Sequence, residues 1–192
     1  MLFRKSYKAL SDEMLMEKAQ GGSDRALEEI YQRYSQPLLR YFFRMLWQDR
    51  DKAEDFLHDV FVKILEKPER YDSSRKFSTW IYSVAHNMCK NEYRKQAFRQ
   101  AMNGHSHNEE AVNEQVSVEM DQQKFQSALQ EILKSEEEET RTMFVMRYEL
   151  EMTCAEIGDV VQCPEGTVRT RLFNLRKRLA VKLDHYKVVL EE

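Results

Sequence analysis

An all-α chain of two small helical domains joined by a flexible acidic linker is what the sequence predicts, on three observations. Glycine and proline are scarce, five and three among 192 residues, while 42% of the chain is hydrophobic and 33% charged, a balance that favours helices over strands or disorder. Apolar residues recur at spacings of three and four along most of the length, as expected of helices with one buried face. Between Gln100 and Gln123 there is no Lys or Arg, while Glu109, Glu110, Glu114, Glu119 and Asp121 gather among Asn, Gln, Ser, Gly and His. That places a linker at 101–123 between domains at 1–100 and 124–192, each small but able to bury its own core.

Leu10-Ser11-Asp12-Glu13 reads as a helix start, and Gly21-Gly22 as its end. Asp24 is positioned to cap the next helix, in which Ala26, Leu27, Ile30, Tyr31, Tyr34, Leu38, Leu39, Phe42, Phe43 and Leu46 keep helical spacing. Pro37 should kink or restart it. Ala53, Phe56, Leu57, Val60, Phe61, Ile64 and Leu65 complete an amphipathic period that Pro68 closes, and the outer face carries Glu54, Asp55, His58 and Asp59. A basic loop with Tyr71 in its midst comes next; an aromatic ring among cations suits an unstacked base. Ser78 or Thr79 then caps a helix buried through Trp80, Ile81, Val84, Ala85 and Met88, whose far side bears Tyr82, His86, Asn87, Lys90, Asn91, Arg94, Lys95 and Arg99, interrupted only by Glu92.

Beyond the linker, Phe125, Leu129, Ile132 and Leu133 mark a helix, and Ser135 with Glu138 has the spacing of a capping box opening the next, to about Tyr148. Its acidic run Glu136 to Glu139 suits the positive end of the helix dipole. Met143, Phe144 and Met146 are placed to pack behind the last two helices of the chain. Thr153 and Glu156 form a second capping box, and the helix it opens buries Ile157, Val160 and Val161. Pro164 fits the first position of another helix. There Val168, Leu172, Leu175, Leu179 and Leu183 form the buried stripe. The opposite side shows Gly166, Thr170, Phe173, Asn174 and Lys177, flanked by Arg169, Arg171, Arg176 and Arg178. A short capped helix followed by a cationic one is a helix-turn-helix pattern, suited to the DNA major groove.

The formal net charge is −3, which is unusual for a chain that binds DNA unaided, since phosphate neutralisation supplies most non-specific affinity. The charges must be segregated or a partner supplied. Cys89, Cys154 and Cys163 cannot all pair internally, and no signal peptide or membrane-length apolar run is evident, so a reducing cytoplasmic setting and no stable membrane insertion are expected. His105-Ser106-His107 lacks a companion ligand set, so neither a metal nor a cofactor is assigned.

Three segments together resemble the extracytoplasmic-function sigma factors, in the sigma-70 family of bacterial RNA polymerase. AEDFLHDVFVKIL, Ala53 to Leu65, looks like the family's clamp-binding helix. KFSTWIYSVAHNMCKNEYRK, Lys76 to Lys95, looks like its melting and downstream-promoter helix, and EIGDVVQCPEGTVRTRLF, Glu156 to Phe173, like its upstream-promoter reader. The resemblance implies a non-enzymatic initiation subunit whose region 2 (1–100) and region 4 (124–192) bind core RNA polymerase and promoter DNA, with room for an anti-sigma factor as a further partner. By position, Asp55, His58 and Asp59 would grip the polymerase. Tyr71, Asn87 and Asn91, with Arg94 and Lys95 beside them, would serve the −10 element; Arg169, Thr170, Phe173 and Asn174, with Arg171, Arg176 and Lys177, would serve the −35 element. His58 stands where the family commonly has Gln, and Asn174 where it often has Arg; Asn there would favour adenine. The alternatives are a free-standing helix-turn-helix regulator, which would dimerise and bind duplex DNA alone, and a helical scaffold that binds a partner without DNA.

Overall fold

The computed structural model describes residues 7–103 and 119–184, and these are helical, with no strand among them. Helix α1 is Asp12–Gln20; the Ser11 side chain accepts the Met14 N–H at 3.3 Å, and Leu15, Met16 and Ala19 face inward. Gly22, at φ +84, turns the chain in the left-handed region that glycine tolerates. Helix α2 is Asp24–Met45, with Ser23 rather than Asp24 at the cap position; Asp24 instead places its carboxylate in the first turn, where the helix dipole favours it. Pro37 lies inside α2 without restarting it. Tyr34, Ser35, Leu38, Tyr41 and Phe42 are buried on both sides of the proline, so packing holds the helix despite the absent donor.

Helix α3 is Arg50–Glu66, opened by Asp49 accepting the Lys52 N–H at 3.0 Å, with Ala53, Val60, Phe61 and Ile64 buried. Leu65, expected in the core stripe, is 56% exposed. A short 3-10 turn, Pro68–Arg70, leads to helix α4, Phe77–Asn103. Neither Ser78 nor Thr79 caps α4, which starts before them. Its first amide, Phe77 N–H, instead donates to the Glu13 carboxylate of α1 at 3.1 Å. Burial pushes the Glu13 carboxyl up, but the Phe77 amide, its own amide, the Ser11 hydroxyl and the Lys76 ammonium outweigh it and leave the pKa lowered. Glu13→Ala is therefore expected to cost about 1 kcal/mol at neutral pH. A lowered folded-state pKa contributes stability above the unfolded value and loses it as pH falls through the folded value. The difference between wild type and variant should therefore shrink in acid, which denaturant titrations at a series of pH values would measure.

The second half comprises α5 (Glu119–Lys134), α6 (Glu138–Tyr148), α7 (Cys154–Val161) and α8 (Glu165–Lys182). The expected Ser135–Glu138 box does not form: the Ser135 hydroxyl donates back to the Ile132 carbonyl at 2.7 Å, closing α5, and Glu137 takes the cap position of α6 without a side-chain bond. The Thr153–Glu156 box forms where its spacing predicts, with both reciprocal bonds present. Pro164 sits one residue earlier than expected, at the cap of α8. Met143 and Met146 are fully buried behind α7 and α8, with Phe144 half-buried. Helices α4 and α5 both extend into the expected linker; residues 104–118, including His105-Ser106-His107, lie outside the described residues.

The two halves share one continuous buried cluster rather than holding separate cores. Helix α4 packs on α7, and α2 on α6. Arg44 Nε lies 3.0 Å from Glu149 Oε1, Gln48 donates to Gln130 at 2.8 Å, and the Lys76 ammonium pairs with Glu156. The Tyr93 hydroxyl donates to the Met45 carbonyl, and the Arg141 guanidinium donates to that hydroxyl at 3.3 Å. This packing explains why Tyr82 and His86, expected on the polar side of α4, are buried. Periodicity within one helix cannot distinguish a solvated face from one covered by a distant segment.

Candidate nucleic-acid interface

Helix α8 owes its position to a tight turn after α7. Gln162 adopts the left-handed conformation at φ 60, and the Cys163 N–H donates to the Gly158 carbonyl at 2.9 Å. At Gly158 an added Cβ would lie 2.6 Å from the Cys163 carbonyl oxygen, so only glycine admits this approach. Val168, Leu172 and Leu175 are buried, while Leu179 and Leu183 lie half-buried at the outer end of the same stripe.

The opposite side of α8 is as polar and open as its spacing predicts. Arg169, Thr170, Phe173, Asn174, Arg176 and Lys177 are exposed, and Arg171 is half-exposed. Several are already engaged. Arg169 pairs with Glu165 at 2.5 Å, and the Thr170 hydroxyl donates to the Gly166 carbonyl at 2.9 Å. The Lys177 ammonium lies 4.6 Å from the centre of the Phe173 ring, close enough for a cation–π contact. Arg171 pairs with Glu139 at 2.7 Å, and Arg178 engages both oxygens of Glu136, with its Nε at 2.9 Å. Asn174 borders an open cleft of about 310 Å³ with Ser135, Glu136, Glu137, Thr140, Arg171 and Arg178.

On α4, Asn87, Asn91, Arg94 and Lys95 are exposed. Glu92, which interrupts the positive charge in the sequence, is turned inward, 2.7 Å from Lys52 and 4.0 Å from Arg99, so it does not face a nucleic acid approaching the exposed residues. On α3, Asp55, His58 and Asp59 lie on one open face, and Val60, Phe61 and Ile64 lie behind them in the core.

Tyr71 departs from its expected place. It is 2% exposed, its ring packs against Phe77 and Trp80 at centroid distances of 5.2 and 5.3 Å, and its hydroxyl donates to the Arg75 carbonyl at 2.5 Å. Burial, followed by the carboxylates of Glu13, Asp72 and Asp12, pushes the phenol up to about 12. In this conformation Tyr71 anchors the loop and presents no face on which a base could stack. The cause is Gln20, whose amide donates to the Pro68 and Tyr71 carbonyls at 3.0 and 2.9 Å and folds the loop onto α1.

Gly158 and the ion pairs of Glu136 and Glu139 matter to this face, and spacing alone does not single them out. A glycine inside a capped helix is nonetheless a signal of close backbone approach. The ion pairs carry no such signal, because they join residues 32 and 42 positions apart.

The family model for Sigma-70 region 2 matches residues 30–99, and that for Sigma-70 region 4 matches 126–179. The chain is 25% identical to the ECF RNA polymerase sigma factor SigW of Bacillus subtilis, covering 84% of this chain and 91% of that protein. It is 27% identical to the ECF RNA polymerase sigma-E factor of Haemophilus influenzae, covering 91% and 96%. Among solved structures, CnrH in complex with the cytosolic domain of CnrY shares the fold at a TM-score of 0.68 and 21% identity, over 91% of this chain and 97% of that one. The sigma factor RpoE of Bartonella quintana, solved with the anti-sigma factor NepR, does so at 0.67 and 18%, over 82% and 96%. With both region models matched and relatives aligned over nearly their whole length, the chain belongs to the sigma-70 family and is an extracytoplasmic-function sigma factor, a non-enzymatic subunit of transcription initiation.

Proposed function

We propose that this sigma factor docks on core RNA polymerase through Asp55, His58 and Asp59 of α3. We propose further that it meets promoter DNA at two places. Asn87, Asn91, Arg94 and Lys95 of α4 serve the downstream element, and Arg169, Thr170, Arg171, Phe173, Asn174, Arg176 and Lys177 of α8 serve the upstream one. The supporting observation is charge segregation: a chain of net charge −3 carries two exposed cationic helix faces and a separate exposed acidic one. A net-negative protein has little free affinity for DNA, but docking on a polymerase raises the local concentration of both cationic faces at the duplex. Tyr71 joins the downstream set only if the loop opens and releases its ring. A cytoplasmic location goes with these partners; among the described residues no helix is long and apolar enough to cross a membrane. An anti-sigma factor is a further proposed partner, by likeness to relatives solved with one.

In vitro transcription from a pool of promoter fragments tests the reading. Specific transcripts are expected only when core polymerase and this chain are combined. A chain that shifts duplex DNA unaided as a dimer, and leaves core polymerase unprogrammed, would instead be a free-standing regulator.

A further inference from the structure

The acidic run Glu136–Glu139 pairs with the cations of α8 and borders α4. On one side Glu136 holds Arg178 through both carboxylate oxygens, Glu139 holds Arg171 at 2.7 Å, and Glu137 lies 4.0 Å from Arg171. Glu136 keeps only 12% of its side chain exposed in doing so. On the other side Glu138 is half-buried against α4. Burial raises its carboxyl, while Arg141, and after it Lys90 and Arg94 of α4, act in the opposite sense; Glu139 in turn acts on His86 of α4. Arg171 is among the residues assigned above to DNA, and Arg178 flanks the same face of α8.

This seam is only partly satisfied. His86 Nδ1, Glu138 Oε1 and Arg141 Nε are buried without a hydrogen-bond partner among the described residues. Buried polar atoms without partners favour any state that hydrates or re-pairs them. Four consecutive carboxylates with planar oxygen pairs offer an arginine much the same bidentate, anionic contact that a phosphate offers.

We propose that Glu136–Glu139 is a built-in counterion for Arg171 and Arg178 of α8, neutralising them in the free chain and being displaced when promoter phosphates take its place. The inference rests on the reading of α8 as a DNA-facing helix. It adds a device that keeps the free factor off DNA before it meets the polymerase. The same pairs would have the opposite effect if they served to aim Arg171 and Arg178 at the duplex, since removing the carboxylates would then weaken binding.

The test uses the full chain, with E136Q/E138Q/E139Q compared against E28Q/E131Q/E151Q, which removes the same charge from carboxylates outside the run. Fluorescence anisotropy with a short duplex of random sequence, over a salt series, gives affinity and slope. The run variant is expected to bind about tenfold more tightly than wild type at low salt, with a dependence steeper by about two counterions, one for each freed arginine. The control should gain little. An equal gain in both would reduce the effect to net charge, and an unchanged or weaker affinity in the run variant would assign the pairs to structure or aiming; either overturns the proposal. If the triple variant does not fold by circular dichroism, E136Q alone carries the test, with a smaller gain and a slope change of about one. Transcription by the wild-type chain with core polymerase is measured in parallel. Success there, with no gain in the variant, would remove the counterion alone and leave the function standing.

Discussion

Replacing Gly158 by alanine is expected to lower the stability of the chain by about 3 kcal/mol, a large effect for a single methyl group. The added Cβ meets the Cys163 carbonyl oxygen at 2.6 Å, and that oxygen belongs to a peptide plane that cannot easily turn away. The Cys163 N–H is already committed to the Gly158 carbonyl at 2.9 Å, and Pro164 comes directly after it with its fixed φ of −58. The clash must be relieved by moving α8 away from α7, which loosens Ile157, Val160 and Val161 against Val168 and Leu172. The face proposed to read the upstream element then loses its angle to the neighbouring helices. A shift of about 3 kcal/mol corresponds to a fall of roughly 6–12 °C in melting temperature for a chain of this size, and upstream duplex binding by the polymerase complex should fall by at least about tenfold. Gly166→Ala is the control: nothing lies within 4 Å of its Cβ, and alanine in the first turns of a helix is worth about 0.5–1 kcal/mol in the stabilising direction. Thermal melts showing the same change for both variants would mean that the turn is not as tight as described.

The contrast between the two glycines shows what can be read from the sequence and what cannot. Signals confined to a few residues were legible: the Thr153–Glu156 box, the stripe of Val168, Leu172 and Leu175, the Gly21-Gly22 break, and the open triplet Asp55, His58 and Asp59 all lie where spacing puts them. Wherever a distant segment competes for the same group, the local pattern fails. Ser135 and Glu138 have capping-box spacing, but Ser135 closes the preceding helix, and Glu138 is half-buried with one oxygen unpartnered among the described residues. The start of α4 is set by Glu13, 64 positions earlier, not by the nearby Ser78 or Thr79. The sequence places Tyr71 as a loop aromatic among cations, yet Gln20 folds the loop over it. His86 and Tyr82 follow the same rule, since α7 covers the side of α4 that charge alone would leave wet.

Reversing charge at both Asp55 and Asp59 should uncouple the factor from core polymerase. The two carboxylates are one helical turn apart on the exposed side of α3, so a single cationic surface can engage both, and carboxylate–arginine contacts of this kind gain strength as they leave water. Lys at both positions replaces two attractions by two repulsions, and like charges facing each other across an interface cost several kcal/mol. The expected loss is at least about a hundredfold in affinity, equivalent to about 2.7 kcal/mol. Folding should survive. Both side chains are exposed, and lysine is as good a helix former as aspartate or better. Both positions also lie beyond the first turn of α3, which starts at Arg50, so the dipole contributes little there. His58→Gln at the intervening position preserves polarity and should change binding by less than about threefold, about 0.6 kcal/mol. Fluorescence binding to core polymerase, with circular dichroism to verify the helices, would measure all three proteins; near wild-type affinity in a fully folded D55K/D59K variant would move the polymerase contact off α3.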